Sequence, residues 1–403
     1  MFKIATRSTL ILLVGVLLSV LNTAVLARIL GVEGRADFYF LFLPLYFAPS
    51  ICSQGFGQVS IYLGKKEKVQ NLLAHAKSIL KASLLYSFLW LIGALFISDG
   101  YDGNWVLYSL ITIFAVQSLS LATYVQAIAC LDKTYKYLDV IKIVSPLINV
   151  VLLMLGWSMG IEEAWVYILI QIIVRVFESA FLYIAMRNHF KINSFLVNDL
   201  VFLQHNNYRV DIWKSSFVSL FLNHTDKIAV LILAAKHEVG LYSVAVGLAM
   251  IAGQVVRNIT NIIVASVSTS DKKLINKFLG ASSVYIIVGV LGILGASLFM
   301  GSVIQLIFGL DFLGAEKYVE ILLVNVFFVS ISWLIAQYFM LTGNSKNFFH
   351  SQIVAAAVLL VGFLVSVGYY DFKFFLCTLL LASFSSLVYM FVLFIIDVQR
   401  LRV

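Results

Sequence analysis

Hydrophobic residues in this chain come in long unbroken runs that short polar connections separate. A run of roughly 20 apolar residues lets a helix cross the hydrocarbon core of a membrane, whereas a membrane strand would alternate sides over about ten residues. The pattern predicts an all-α integral membrane protein with twelve transmembrane helices, over residues 8–27, 37–63, 77–97, 104–131, 138–159, 162–186, 211–235, 239–265, 274–300, 318–342, 347–368 and 372–396.

The longest polar interval falls between the sixth and the seventh predicted spans. It divides the chain into an N-terminal lobe (1–187, spans one to six), a cytoplasmic linker (188–210) and a C-terminal lobe (211–403, spans seven to twelve). Because each half has an even number of spans, both halves share one orientation, which predicts a parallel pseudo-repeat of two six-helix lobes around a central cleft. One such monomer supplies both lobes.

Composition and charge exclude a soluble protein and indicate an orientation. The chain is 62% hydrophobic and only 12% charged, too little polar surface for a soluble body of 403 residues. Lys and Arg in alternate connections divide 20 against 5, which places both termini in the cytoplasm. The formal charge of +8 is therefore a topology signal spread along one leaflet, and it fits membrane lipid as a contact better than nucleic acid.

Polar residues inside the spans fall at three- and four-residue spacing on spans one, two, seven and eight, so each of these helices has one polar face. We expect these faces to line a water-filled cleft between the lobes. Their amide side chains are Asn22, Gln54, Gln58, Asn223, Gln254, Asn258 and Asn261.

Five charged residues lie inside predicted spans, where a charge costs at least about 2.5–3.5 kcal/mol unless it meets protein or water. They are Arg175, Glu178, Asp226, Lys227 and Arg257. Each also has a purely structural explanation. Asp226 could simply neutralise Lys227 or Arg257, and Glu178 has the i, i+3 spacing to pair with Arg175.

Familiar catalytic motifs are missing from the sequence. It has no GxxxxGK[ST] loop for a nucleotide, no HExxH, and no paired CxxC, and its three cysteines indicate neither a metal site nor a disulfide framework. No cofactor is predicted beyond a coupling H⁺ or Na⁺. A membrane polysaccharide polymerase or glycosyltransferase is the alternative among enzymes, but such enzymes normally need a substantial extramembrane loop.

Three passages resemble the Wzx-type O-antigen and polysaccharide flippases of the multidrug, oligosaccharidyl-lipid and polysaccharide (MOP) exporter superfamily. They are RILGVEGRADFYF from Arg28, DKIAVLILAAKHEVGLYSVA from Asp226, and FGLDFLGAEKYVEILL from Phe308. The resemblance covers essentially the whole chain. It implies an alternating-access carrier in the bacterial inner membrane that moves undecaprenyl-pyrophosphate-linked oligosaccharide outward, often with cation counter-transport. A polysaccharide polymerase and a chain-length regulator are candidate partners.

If the cargo is a lipid-linked oligosaccharide, the chemistry of the charged and amide side chains suggests which part of the cargo each would bind. Arg28, Lys227 and Arg257 are predicted to bind the pyrophosphate, since guanidinium and ammonium groups suit phosphate. The amide side chains would contact the sugars. Asp226 is the first candidate for binding the coupling ion, with Glu178 and His224 as further candidates, although His224 could equally be a hydrogen-bonded helix contact. A cationic-drug antiporter of the same superfamily is the alternative transporter.

Overall fold

The computed structural model describes residues 2–53, 56, 76–95, 105–129, 135–186, 206–266, 271–341 and 345–402. Within these ranges the chain is helical and contains no strand. The helices are α1 Phe2–Cys52, α2 Ala76–Leu95, α3 Trp105–Ala129, α4 Tyr135–Ser158, α5 Ala164–Met186, α6 Asn206–Leu233, α7 Lys236–Ser266, α8 Asp271–Ile307, the short 3₁₀ helix η1 Leu310–Ala315, α9 Glu316–Leu341, α10 Ser345–Tyr369 and α11 Phe372–Arg402.

The described helices identify a multi-pass membrane protein. Six of them are long and apolar enough to cross a membrane, or seven if the bent pair Gly289–Gly295 and Leu298–Ile307 forms one span. Helical residues overlap each of the twelve segments that the hydropathy pattern predicts, and α1 overlaps the first two, up to Cys52. The twelve-span count itself stays a prediction.

One glycine bends α1 where the sequence predicts a connection between two spans. Gly31 has φ 63° and ψ −173°, a left-handed conformation that residues with a Cβ rarely adopt. The chain is helical on both sides of Gly31, and Pro44 and Pro49 follow inside the second part. The predicted first connection is therefore a break at a single residue.

The structure divides into two compact units. The N-terminal unit comprises Leu10–Leu30 and Asp37–Leu220, and the C-terminal unit comprises Met1–Thr9, Gly31–Ala36 and Phe221–Val403. The short segment after the bend of α1 thus belongs to the C-terminal unit, although its neighbours on both sides belong to the N-terminal one. Most of the predicted linker, up to residue 205, lies outside the described residues.

Each unit has its own apolar core. Residues from α1, α3, α4 and α5, among them Leu45, Ile111 and Leu153, form a core in the N-terminal unit. In the C-terminal unit α9 and α11 contribute Tyr338 and Phe394, whose rings meet edge to face. Leucines elsewhere on the helices are exposed, as a lipid-facing surface requires.

Candidate functional site

A buried ion pair lies in the C-terminal unit. The Nζ atom of Lys227 is 3.4 Å from Oδ1 of Asp226 and donates a hydrogen bond to the carbonyl of Asn223 at 2.9 Å. The side chains of Lys227 and Asp226 are only 3% and 9% exposed. The hydroxyl of Tyr242 donates to Oδ2 of Asp226 at 2.7 Å. Asp226 therefore neutralises Lys227 in this conformation, which is the structural explanation that the sequence left open.

The three passages that carry the family resemblance meet in one cluster of the C-terminal unit, which we term the motif cluster: Val32, Glu238, Gly240, Lys317 and Tyr318. Gly240 lies so close to Val32 that a Cβ on the glycine would be 2.0 Å from the Val32 carbonyl oxygen. Lys317 and Tyr318 both donate hydrogen bonds to the carboxylate of Glu238. The segment after span one thus packs on the start of α7. The hydrogen bonds to Glu238 join the start of α7 to the start of α9.

An aromatic group connects the motif cluster to the buried ion pair. The ring of Tyr242, which is fully buried, meets the rings of Tyr318 and Phe372 edge to face. Because the hydroxyl of the same Tyr242 is bonded to Asp226, the ion pair and the motif cluster share one rigid side chain. Tyr242 therefore contacts both Asp226 of the ion pair and Tyr318 of the motif cluster.

Glu238 is the ionisable centre of the motif cluster. Burial raises the pKa of its carboxyl, but hydrogen bonds from Tyr318 and Lys317 and the Lys317 charge outweigh burial and lower the pKa overall. A depressed carboxyl pKa stabilises the fold above the usual range of Glu and loses that contribution as the pH falls through the folded value. The contribution of the charged Glu238 carboxylate is therefore present at neutral pH.

A second ion pair lies in the N-terminal unit. An Nη1 atom of Arg175 is 2.8 Å from Oε2 of Glu178, as the i, i+3 spacing predicts. The same oxygen accepts a 3.1 Å hydrogen bond from the amide of Gln126 on α3. Glu178 is 3% exposed, whereas the Arg175 side chain is 46% exposed. Of the two embedded pairs, this one alone has an accessible cation.

The polar face of the first span packs against α4 in the N-terminal unit. The Asn22 amide donates a 3.1 Å hydrogen bond to the carbonyl of Pro146. A Cβ on Gly15 would lie 2.9 Å from the Lys142 carbonyl, whose helical hydrogen-bond partner is lost because Pro146 has no N–H. Asn22 Oδ1 is buried and has no hydrogen-bond partner within the described ranges. The Asn22 amide thus takes part in the contact between the first span and α4.

The remaining predicted site residues are described to different extents. Arg28 and Asn223 are exposed, and His224 is partly buried. Gln54 and Gln58 lie outside the described residues. Gln254, Arg257, Asn258 and Asn261 are on α7, but their side chains are not described. Within the described residues, no three metal-ligating side chains form a group that could hold a metal ion.

Two hydrogen-bond partners of the embedded acids, Gln126 and Tyr242, were not predicted from the sequence. Gln126 is 52 residues from Glu178, and no periodicity within one helix can reveal such a contact. Tyr242 is 16 residues from Asp226, and both lie in the second of the passages that carry the resemblance. The presence of both residues in that one passage was the sequence signal that could have indicated their contact.

The chain is similar in fold to solved structures of membrane transporters. The chain is similar to the lipid II flippase MurJ in an inward closed conformation, with a TM-score of 0.73 and 14% identity over 96% of this chain and 86% of that one. It is also similar to a multidrug resistance MATE family transporter of the MOP superfamily in its inward-facing conformation, with a TM-score of 0.71 and 15% identity over 96% and 95% of the two chains.

A third similar structure is a MOP superfamily transporter from Pyrococcus furiosus whose binding pocket is described as having reverse polarity. Its TM-score is 0.56 at 13% identity, covering 99% of this chain and 96% of that one. No family model matches the chain, and the search of curated proteins found no match. The fold is therefore the one that the MurJ flippase and the MATE transporters share.

Proposed function

We propose that this protein is a flippase for lipid-linked oligosaccharide. It moves an undecaprenyl-pyrophosphate-linked repeat unit of O-antigen or capsule across the bacterial inner membrane, by alternating access and with a coupling cation. The physical task is to shelter a hydrated sugar chain and a pyrophosphate across about 30 Å of hydrocarbon, while the polyprenyl tail stays in lipid. A protein of this fold that acts on a lipid-linked cargo is the lipid II flippase.

The observation that carries the proposal is the unequal accessibility of the embedded charges. Asp226 and Glu178, the two embedded acids, are 6% and 3% exposed, and each is paired with a cation. Of the embedded cations whose side chains are described, Arg175 is exposed and Lys227 is buried; Arg28, at the end of the first span, is also exposed. An anionic head group pairs with accessible cations, whereas a cationic drug would need an accessible carboxylate inside the spans, and the two embedded carboxylates are buried. This difference favours the flippase over the drug antiporter that the MATE fold also permits.

Reconstituted vesicles test the proposed function. A fluorescent lipid with a short prenyl chain, a diphosphate and a sugar is placed in both leaflets, and a membrane-impermeant reductant quenches the accessible fraction. We expect quenching beyond the outer-leaflet fraction only in vesicles that contain the protein. Vesicles with heat-inactivated protein are the control. Efflux of a cationic dye without movement of the lipid would replace the flippase by the drug antiporter.

Ion coupling is predicted to depend on Asp226. The double variant Asp226→Asn, Lys227→Met keeps an acceptor for the Tyr242 hydroxyl and removes both charges of the pair. We expect it to translocate the labelled lipid at a rate that no longer responds to a Na⁺ or H⁺ gradient, whereas the wild-type rate rises several-fold. A double variant whose rate responds like the wild type would remove Asp226 as the coupling residue.

A further inference from the structure

Arg175 lies on the packed side of α5, not on its lipid-facing side. Residues seven positions apart on a helix share a face, and Ile168 and Leu182, seven residues before and after Arg175, are 3% and 0% exposed. The opposite side of α5 presents exposed Ile173 and Ile184. The Arg175 side chain is nevertheless 46% exposed between these two buried neighbours, which indicates that the packing opens at its level.

Polar side chains surround this opening. Gln171, one turn before Arg175, and Ser179, one turn after it, are both partly buried, and the Ser179 hydroxyl donates to the Arg175 carbonyl at 2.8 Å. Gln126 approaches from α3. A charge near the middle of a membrane span is tolerated only where it meets water or protein. Arg175 meets this requirement through Glu178 and its polar neighbours, and the exposed part of its side chain faces the opening.

The arrangement around Arg175 leaves capacity for an additional anion. A guanidinium has five N–H donors in a planar fork, and the pair with Glu178 uses Nη1 on a single carboxylate oxygen. The same Glu178 oxygen also accepts a hydrogen bond from Gln126, so Arg175 does not have that acceptor to itself. Phosphate oxygens match the guanidinium fork in two parallel hydrogen bonds, so phosphate is the anion that this site suits.

We propose that Arg175 is a phosphate-binding residue that holds the diphosphate head group of the lipid-linked cargo, and that Glu178 occupies its guanidinium when the site is empty. The proposal rests on the proposed function, because it assigns that function a head-group contact in the N-terminal unit. Glu178 is then a competitor of the cargo. Gln126 positions Glu178, since it fixes the oxygen that Arg175 contacts.

Opposite effects of two neutralising substitutions test the proposal. The full-length protein, in nanodiscs of phosphatidylcholine, is titrated with farnesyl diphosphate and separately with inorganic pyrophosphate. We expect Arg175→Gln to weaken binding of both about tenfold or more, because one charge-assisted contact is lost. The affinity of Arg175→Lys should lie between those of the wild type and Arg175→Gln, since an ammonium keeps the charge but cannot form two parallel hydrogen bonds. Glu178→Gln should bind several-fold more tightly than the wild type.

The matched control is Lys373→Gln, which removes one exposed cation at the start of α11 and should leave both affinities unchanged. A merely structural pair predicts that Arg175→Gln and Glu178→Gln change affinity in the same direction, and that result would overturn the proposal. A loss confined to free pyrophosphate would overturn the assignment to a lipid head group. If the wild type binds neither diphosphate, the proposed function fails as well; if it binds both and Arg175→Gln binds equally, only this inference fails.

Discussion

Replacing Asp226 by alanine is expected to lower the free energy of unfolding by about 3–5 kcal/mol. Lys227 is 3% exposed and its ammonium lies 3.4 Å from the Asp226 carboxylate, so the substitution leaves a buried charge without its counterion. It also removes the acceptor of the Tyr242 hydroxyl. Thermal unfolding in detergent, followed by tryptophan fluorescence, measures the loss.

The double variant Asp226→Asn, Lys227→Met separates the charge from the packing. It should recover most of the lost stability, because an apolar side chain of similar length replaces the buried ammonium and Asn retains an oxygen for Tyr242. The control is Lys317→Gln in the exposed pair with Glu238, where we expect a change of at most about 1 kcal/mol. If Asp226→Ala melts like Lys317→Gln, the pair at Asp226 is not buried as described.

Replacing Gly240 by alanine should separate the first connection from α7. The new Cβ would lie 2.0 Å from the carbonyl oxygen and 2.8 Å from Cγ1 of Val32, and a backbone atom cannot rotate away. Overpacking of this kind costs about 1–3 kcal/mol, although alanine is intrinsically about 1 kcal/mol better than glycine in a helix. We expect a lower melting temperature and at least a tenfold slower translocation of the labelled lipid.

Gly292→Ala is the matched control for the packing at Gly240. Gly292 also lies inside a helix, and a Cβ there would meet nothing within 4 Å. We expect Gly292→Ala to keep or slightly raise the melting temperature. Trimming Val32 to alanine in the Gly240→Ala background should not restore stability, because the closest atom belongs to the backbone. Full rescue by that second substitution would contradict the close backbone approach.

Hydropathy predicts the elements of this fold well because a membrane span must satisfy its backbone hydrogen bonds within the helix. The break at Gly31 also falls inside a connection that the sequence predicts. The connection itself was expected as a loop between separate helices. In the structure Gly31 alone forms the bend, and the helix continues on both sides of it. The positive φ of Gly31 cannot be inferred from the sequence of the connection.

The candidate site was predictable only within individual helices. Spacing along α5 indicated the pair of Arg175 and Glu178, because residues three apart are neighbours on a helix. Spacing along the first span likewise groups Asn22 with its polar neighbours, but it does not say which helix that face meets. In the structure the Asn22 amide donates a hydrogen bond to the carbonyl of Pro146 on α4. Contacts between helices depend on tertiary packing, which one helix period does not encode.

The position of Val32 against Gly240 also sets an order of assembly during synthesis. The ribosome delivers residues 31–36 about 200 residues before the α7 surface that covers them. Tyr318 and Phe372, which complete the surroundings of Tyr242, follow later still. A nascent chain that ends before α7 therefore holds this segment without the surface that covers it, and an intermediate of that kind is prone to misassembly.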